Sequence, residues 1–304
     1  AYNEEESLDE LTKRLQEMMS SADQYDFEVI IVENGSFDST YEKLLKINAE
    51  DNRFKILQLS RNFRCDGGIT AGLQYASGDA AVIMMADLQD PPELVPEFIQ
   101  KWEEGYEIVY TVVSKRHGTK ITRRFFSRVF YKVIGAMTDR AIPENASDFR
   151  LIDRGVYENV NRMTERNRML RGIIAWTGFK QYAIYYERPP RFAGESKADF
   201  LHVFKLALDG IFSFSYIPLK MTTYLGFIIS VLSFLMIVVE LELFLVYGRE
   251  VPGFTTIIIA LLFLFGVLFL VLGIIGEYLA RIYDEVKQRP NYIVKKEIGL
   301  EESQ

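Results

Sequence analysis

The sequence has few residues of the two types that most often build cross-links and metal centres. One cysteine, Cys65, occurs among 304 residues, which excludes an internal disulfide framework. Two histidines, His117 and His202, are too few for a histidine-rich metal site, and neither belongs to a recognisable catalytic triad. The formal net charge of −7 argues against a general nucleic-acid binder, so no nucleic-acid partner is expected.

Charge is nearly absent from two long stretches in the last third of the chain. Residues 221–247 carry only Glu240 and Glu242, and residues 254–276 carry no charge. Each stretch exceeds the roughly 20 residues that span a bilayer. Because the connection between them is short, we predict a hairpin of two transmembrane helices. For the two glutamates, a functional site in the membrane and a position at its interface both stay open.

Basic residues flank this hairpin on both sides. They are Lys220 before it and Arg281, Lys287, Arg289, Lys295 and Lys296 after it. The positive-inside rule assigns both flanks to the cytoplasm. We therefore predict an integral, multi-pass protein of the plasma or inner membrane. Its N-terminal, catalytic domain and both of its termini are expected to be cytoplasmic.

The first two thirds of the chain alternate between two hydrophobic periods. Apolar runs of strand length occur at residues 27–33, 54–59, 80–85 and 106–113, and patterns of helical period separate them. This alternation predicts an α/β fold with a doubly wound, mostly parallel sheet. In such folds, ligands bind at the carboxyl ends of the strands.

A polar turn follows the apolar run at residues 80–85. Asp87 and Gln89 are two residues apart, and on extended backbone their side chains would project to the same side. Mg²⁺ typically takes one or two protein carboxylates and completes its shell with water and substrate phosphates. The turn therefore suits a metal that carries a diphosphate. The alternative is a polar strand-to-helix turn with Pro91 and Pro92 at the helix start.

Residues 115–132 are rich in lysine and arginine and contain no acid. Apolar residues such as Phe126 lie on one face of the predicted helix, while Arg124 and Arg128 lie on another. This pattern is typical of a helix that binds a membrane surface. A solvated helix packed on the sheet is the alternative. Residues 197–215 are a second candidate for an amphipathic helix.

Five motifs occur in a fixed order along the chain, followed by the predicted hairpin. They are Ala1-Tyr2-Asn3-Glu4-Glu5, Val32-Glu33-Asn34-Gly35-Ser36-Phe37-Asp38, Asp87-Leu88-Gln89-Asp90-Pro91-Pro92-Glu93, Ser147-Asp148-Phe149-Arg150-Leu151 and Arg191-Phe192-Ala193-Gly194-Glu195-Ser196-Lys197. With them, nearly the whole chain resembles the polyisoprenyl-phosphate glycosyltransferases, which are family-two glycosyltransferases with a Rossmann-like GT-A fold. The bactoprenyl glucosyltransferases and dolichyl-phosphate mannose synthase belong to that group.

The resemblance implies a role for each motif. Nucleotide binding falls to Ala1, Tyr2, Glu4, Asn34 and Asp87, and the metal, Mg²⁺ or Mn²⁺, to Asp87 and Gln89. The phosphate loop supplies Arg191, Ser196 and Lys197, and Arg124 and Arg128 are expected to hold the lipid phosphate. Asp87 and Asp148 are the expected catalytic residues.

The family assigns Asp148 as a base, but the acceptor chemistry demands little of one. A phosphate monoester has its second pKa near 6, so its oxygen is largely ionised at neutral pH. Asp148 then orients the acceptor or a cation. As structural alternatives, it caps a helix or pairs with Arg150.

The chain departs from the family pattern in three ways. The family's first strand would precede Ala1, and we expect the chain to be truncated there. Glu33 and Asn34 stand where two aspartates are usual, which obscures the choice between guanine and uracil. Met85 stands where an aspartate is common, and a thioether is a poor ligand for Mg²⁺ or Mn²⁺. We therefore expect weak metal affinity without nucleotide.

The resemblance implies inverting transfer of a hexose, most simply glucose from UDP-glucose, onto polyprenyl phosphate. Alternatives are GDP-mannose or a UDP-amino-arabinose derivative as donor, or a non-catalytic, nucleotide-binding membrane scaffold. A processive polysaccharide synthase is disfavoured because no Gln-x-x-Arg-Trp string occurs. A homo-oligomer is expected.

The chain is expected to divide into five parts. Residues 1–113 form the nucleotide-sugar-binding part, residues 114–198 the acceptor-side part with the basic helix, and residues 199–217 a second interface helix. Residues 218–279 form the two spans, and residues 280–304 form a basic cytoplasmic tail.

Overall fold

The computed structural model describes residues 1–115, 146–166, 168–189, 217–247 and 253–300. They fall into two units, one within Ala1–Ala207 and Arg289–Gln304 and the other within Leu208–Gln288. The predicted interface helices lie outside the described residues, apart from Lys115 and Ile217. So do five predicted phosphate-binding residues, which are Arg124, Arg128, Arg191, Ser196 and Lys197.

In the first unit, helices alternate with strands over much of its length. The strands are β1 (Val29–Glu33), β2 (Phe54–Leu59), β3 (Ala80–Ile83), β4 (Ile108–Lys115), β5 (Ala146–Asp153), β6 (Gln181–Glu187) and β7 (Val294–Ile298). The helices are α1 (Leu8–Ser21), α2 (Thr40–Glu50), α3 (Arg64–Tyr75), α4 (Val95–Glu103), α5 (Arg154–Arg162) and α6 (Leu170–Trp176). This order confirms the predicted α/β class.

Helix α1 illustrates how the sequence pattern sets the packing. Leu8, Leu11, Leu15 and Met18 recur at helical spacing, and all four are buried in one core cluster that also contains Phe98. The opposite face carries polar residues, as expected for a helix that covers one side of a sheet.

The strands form two mixed sheets among the described residues. Their orders are β1-β2-β7 and β3-β5-β4-β6. Only the β1–β2 and β4–β6 pairs are parallel, so the expectation of a mostly parallel sheet needs correction. Every antiparallel pair involves β5 or β7, two strands that the hydrophobic pattern did not predict. The alternation of helices and strands along the sequence indicates an α/β class. It does not determine which strands β5 and β7 pair with.

Strands β1 and β3 belong to different sheets and line a common cavity of about 1150 Å³. The strand residues supply an apolar lining, and the polar turns that follow β1 and β3 line the same cavity. Apolar strands and the polar turns that follow them therefore line the same cavity.

The second unit contains two long apolar helices, α7 (Ile217–Tyr247) and α8 (Phe254–Lys287). Within them, Ile217–Leu243 has a mean hydropathy of 2.3 and Ala260–Lys287 a mean hydropathy of 2.5. By length and composition, both are able to cross a membrane, as the sequence predicted. Helix α8 continues to Lys287, past the predicted division at residue 279, because its last turns stay helical after the apolar stretch ends.

The residues after α8 return to the first unit. Strand β7 pairs antiparallel with β2, with Ile298 opposite Ile56. The hydroxyl of Tyr75 donates to the Glu297 carboxylate at 2.6 Å. This segment was expected to be a basic tail. Strand β7 is short and charged, and its apolar and polar residues do not alternate strongly enough to predict a strand.

Candidate active site

The first two motifs lie against each other through bonds from backbone to side chain. The Phe37 amide donates to Asn3 Oδ1 at 2.9 Å, and the Glu4 amide donates to Thr40 Oγ1 at 2.9 Å. The Glu5 amide donates to Asp38 Oδ2 at 3.3 Å. The structure thus brings the two predicted nucleotide-binding turns together, with backbone geometry fixed by their own short polar side chains.

Gly35 is the point at which the second turn touches the loop after β2. Its φ is +72°, and a Cβ there would lie 2.6 Å from the backbone carbon of Arg61. Only glycine fits both conditions. The neighbouring Glu33 carboxylate accepts a hydrogen bond from the Ser36 amide at 2.5 Å and so stabilises the turn.

Asn34 has a structural task that the sequence did not indicate. Its Oδ1 accepts the Phe63 amide at 2.9 Å, and its Nδ2 donates to the Arg64 carbonyl at 2.9 Å. The Asn34 side chain therefore stabilises the loop that leads into α3. Asn34 also lines the cavity. We call the cavity side formed by Tyr2, Glu4, Asn34 and Asn62 the turn wall.

The predicted metal turn is not extended. Strand β3 ends at Ile83, and Leu88 adopts a left-handed φ of 59°. The Gln89 amide donates to Asp87 Oδ1 at 3.2 Å, while its side-chain Nε2 is directed to the Pro189 carbonyl at 3.4 Å. The expectation of extended backbone from Asp87 to Gln89 is therefore wrong, because the chain turns at Leu88, although both residues line the same cavity.

Asp90 holds this turn from within the protein. It is fully buried, its Oδ2 accepts the Met85 amide at 3.1 Å, and its Oδ1 accepts the Tyr186 hydroxyl at 3.3 Å. Burial raises the pKa of Asp90 to about 6, against the opposing charge of Arg188. Asp90 is thus the anchor that ties the turn to β6.

Asp148 lies in β5 and forms a two-pronged ion pair with Arg171 of α6. Arg171 Nε donates to Oδ1 at 2.9 Å, and its Nη2 donates to Oδ2 at 2.6 Å. Burial alone would raise the pKa of Asp148, but the guanidinium of Arg171 holds it below its usual value. The carboxylate is therefore ionised at neutral pH.

Of the two structural alternatives for Asp148, the helix cap is wrong, and the charge of Arg150 adds only a secondary contribution to that of Arg171 in lowering the pKa of Asp148. The residue sits within a strand, so it caps no helix, and Arg150 donates its Nη2 to the Ser147 carbonyl at 2.7 Å. Arg171 was missed because no spacing rule connects a strand residue to a helix 23 positions later. We call Asp148, Arg171 and Arg188 the ion-pair wall of the cavity, and Arg188 connects this wall to the buried Asp90.

The described site residues of the sequence prediction line this one cavity together. They are Ala1, Tyr2, Glu4, Asn34, Asp87, Gln89 and Asp148, and the additional residues Arg171 and Arg188 line it as well. Cys65 also faces it, and its thiol lies 3.9 Å from the Met85 sulfur.

A divalent metal fits Asp87 only as part of a larger complex. In the described ranges, no group of three or more His, Cys, Asp or Glu side chains is arranged to hold a metal ion. One carboxylate at a cavity suits Mg²⁺ when a substrate diphosphate supplies further oxygens. The donor set therefore agrees with the expected dependence of metal binding on nucleotide.

The family model described as glycosyl transferase family 2 matches residues 1–160. The chain belongs to this family. The family match confirms the predicted GT-A fold class and the activity of a glycosyltransferase.

Proteins similar to this family 2 glycosyltransferase align along almost its whole length. It is 44% identical over 300 residues to an uncharacterized glycosyltransferase of Synechocystis sp., covering 99% of this chain and 94% of the relative. It is 37% identical over 295 residues to the SfII prophage-derived bactoprenol glucosyl transferase of Shigella flexneri, covering 97% and 95%. Among solved structures, glucosyl-3-phosphoglycerate synthase from Mycobacterium tuberculosis is similar with a TM-score of 0.46 and 16% identity, over 70% and 75% of the two chains.

Proposed function

We propose that this glycosyltransferase moves glucose from UDP-glucose onto polyprenyl phosphate, such as undecaprenyl (bactoprenyl) phosphate. The observation that carries the proposal is the 37% identity, over 97% of the chain, to a protein named bactoprenol glucosyl transferase. Two candidate membrane helices in the same chain support a lipid acceptor.

The turn wall is proposed to hold the nucleotide. Tyr2 and Glu4 line the cavity beside Asn34, and the ring of Tyr2 makes an edge contact with Phe37 at a centroid distance of 6.4 Å. Aromatic faces and backbone amides suit a base and ribose. Asn34 contributes by fixing the adjoining loop, since both polar ends of its side chain already have backbone partners.

Asp87 is the residue proposed to hold Mg²⁺ or Mn²⁺, with Gln89 nearby. When bound, the metal supplies positive charge to the departing nucleoside diphosphate. Asp90 positions the turn by accepting the Met85 amide and the Tyr186 hydroxyl. A rigid turn of this kind keeps Asp87 in place without reorganisation during the reaction.

The acceptor phosphate is proposed to attack the anomeric carbon directly. Its oxygen forms the new bond to that carbon while the bond to the diphosphate breaks, which inverts the anomeric configuration. Asp148 is not required as a base, because the phosphate is largely ionised and the pKa of Asp148 is low. Its proposed role is to orient Arg171 toward the reacting phosphates.

The two apolar helices are proposed to form a membrane hairpin of the plasma or inner membrane. Most of their described apolar side chains are exposed, as with Leu262, Phe263 and Phe269, which is costly in water and favourable in lipid. Because β7 pairs with β2, the chain after the hairpin rejoins the unit that precedes it. Both flanks then lie on one side, which the positive-inside rule assigns to the cytoplasm.

The roles of Arg124, Arg128, Arg191, Ser196 and Lys197 in phosphate binding stay predictions, as does homo-oligomer formation. The division of the chain into five parts is a prediction as well.

The test incubates purified protein with polyprenyl phosphate, Mg²⁺ and one sugar nucleotide at a time. The panel contains UDP-glucose, GDP-mannose and a UDP-amino-arabinose derivative. Mass spectrometry of the lipid product identifies the sugar, and NMR of the anomeric proton determines the configuration. We expect glucosyl phosphoryl polyprenol with inverted configuration. Transfer from another donor would overturn the choice of glucose, and nucleotide binding without any transfer would favour the scaffold alternative.

A further inference from the structure

Arg188 is a cation of the cavity that none of the five sequence motifs contains. It directly follows β6, whose last residue is Glu187, and it lines the cavity together with Asp87 and Asp148. Its Nη2 lies 3.5 Å from Asp90 Oδ1, and its charge lowers the pKa of both Asp90 and Asp148.

Among the residues that the structure describes, Arg188 makes one long hydrogen bond to a side chain. A guanidinium carries five N–H donors. The hydrogen bond recorded for this side chain joins Nη2 to Asp90 Oδ1 at the long distance of 3.5 Å. Its Nε is buried and has no hydrogen-bond partner in the described part of the chain. A buried, unmatched donor on a cation is costly unless a ligand accepts from it.

Arg64, Arg168 and Arg171 differ from Arg188 because their N–H donors bind other protein groups or are exposed to water. The Nε of Arg168 also lacks a partner, but its Nη1 and Nη2 donate to the carbonyls of Met163 and Val160 at 2.7 and 2.8 Å. Arg171 is committed to Asp148 by two short bonds. Arg64 lines the cavity but is exposed, so water satisfies its donors.

We propose that Arg188 binds a phosphate group in the cavity, held in position by its contact with Asp90. Phosphate oxygens match the planar fork of a guanidinium and accept several bonds at once. Two sources share this chemistry: the diphosphate of the sugar nucleotide and the monoester of the lipid acceptor. The proposal rests on the proposed function for the identity of these two substrates.

The experiment compares Arg188→Gln, Arg188→Lys and the control Arg162→Gln with the wild type. Arg162 is exposed at the end of α5 and does not line the cavity. Calorimetry with Mg²⁺ measures the affinities for UDP, GDP and pyrophosphate, and steady-state kinetics measure KM for donor and lipid. Loss of a charge-assisted bond predicts a change of about ten- to a hundredfold for Arg188→Gln. Arg188→Lys is expected to fall between Arg188→Gln and the wild type, and Arg162→Gln to match the wild type.

The readouts separate the two sources. Weaker UDP and pyrophosphate binding with a raised donor KM assigns Arg188 to the donor, and a raised lipid KM with unchanged UDP binding assigns it to the acceptor. Wild-type values for all of these in Arg188→Gln would overturn the proposal. If Arg188→Gln unfolds by circular dichroism, Arg188→Lys decides on the same criteria, since it keeps the charge beside Asp90.

Failure of the proposed function has a different signature. A wild-type protein that binds pyrophosphate but transfers no sugar to lipid phosphate would refute that function and leave the comparison of pyrophosphate affinities intact. Normal transfer with unchanged constants in Arg188→Gln would refute only the role of Arg188.

Discussion

On the turn wall of the cavity, polar side chains bond to the backbone, whereas on the ion-pair wall charged side chains bond to one another. Asn34 of the turn wall accepts a hydrogen bond from the Phe63 amide and donates one to the Arg64 carbonyl. Asp148, by contrast, meets Arg171 across two elements. The first arrangement fixes a shape, and the second sets a charge distribution that substrate phosphates can alter. Substitutions on the two walls should therefore change different kinetic constants.

Asp87, which lies in the turn between these systems, should give the largest effect. Asp87→Asn removes the proposed carboxylate ligand, and we expect transfer to fall by about a hundred- to a thousandfold. Raising Mg²⁺ or Mn²⁺ should restore part of the rate. Asp23→Asn, at an exposed surface position, is the matched control and should retain full activity. Full activity in Asp87→Asn would remove the basis for the metal assignment.

On the ion-pair wall, Asp148→Asn and Arg171→Gln should each lower kcat by about ten- to a hundredfold. Because the two residues act as one pair, the double variant should be no slower than the slower single variant. The pKa of Asp148 is low, so Asp148→Asn should scale the pH–rate profile between about pH 5 and 8 without changing its shape. Loss of the acidic limb in that variant would instead identify Asp148 as a base, and additive effects would separate the two residues.

The sequence predicted the elements of the fold better than their pairing. Strand β2 was predicted at its observed bounds, and α1 and both apolar helices follow from periodicity or from uninterrupted hydropathy. Strand β7 was missed because three of its five residues are charged, which gives no strand signal, and because it forms by pairing with β2. Pairing is a long-range property that local patterns do not contain.

The sequence motifs predicted individual residues of the site but not the residues that contact them. Asp87 and Asp148 were both found, and both line the cavity. The partner of Asp148 was not predicted, since Arg171 reaches it only after α6 packs beside β5. The expectation of extended backbone around Leu88 was wrong for a local reason, because the left-handed conformation of Leu88 cannot be inferred from its residue type.

On the turn wall, Asn34→Ala should act through shape. It removes two hydrogen bonds that hold the loop before α3, so we expect a loss of about 1–3 kcal/mol of unfolding free energy. The donor KM should rise more than kcat falls. Asn159→Ala is a suitable control because the Asn159 side chain donates a local hydrogen bond, to the Gly155 carbonyl on α5. Thermal denaturation and donor titrations measure both quantities, and a selective fall in kcat would contradict the distinction between the walls.

Substitution of an ion pair outside the cavity should have the smallest effect on transfer, and it provides a baseline for the other variants. Asp51 accepts three bonds from Arg53 and one from Gln16, and its bonds to the Arg53 guanidinium lower the pKa of Asp51 to about 2. A carboxyl whose pKa falls on folding stabilises the protein above its unfolded pKa of about 4, and this contribution is lost between about pH 4 and pH 2. Solvent screening limits it to about 1 kcal/mol.

Asp51→Asn should therefore lower Tm by a few degrees at pH 7 and have little effect near pH 2, with transfer unchanged at neutral pH. Calorimetry across this pH range measures the difference between variant and wild type. A Tm difference that is independent of pH would mean that packing, not charge, explains the contribution of Asp51. A loss of transfer would mean that ion pairs far from the cavity also control the reaction, and the charge-dependent effects at Asp148 would then lose their specific interpretation.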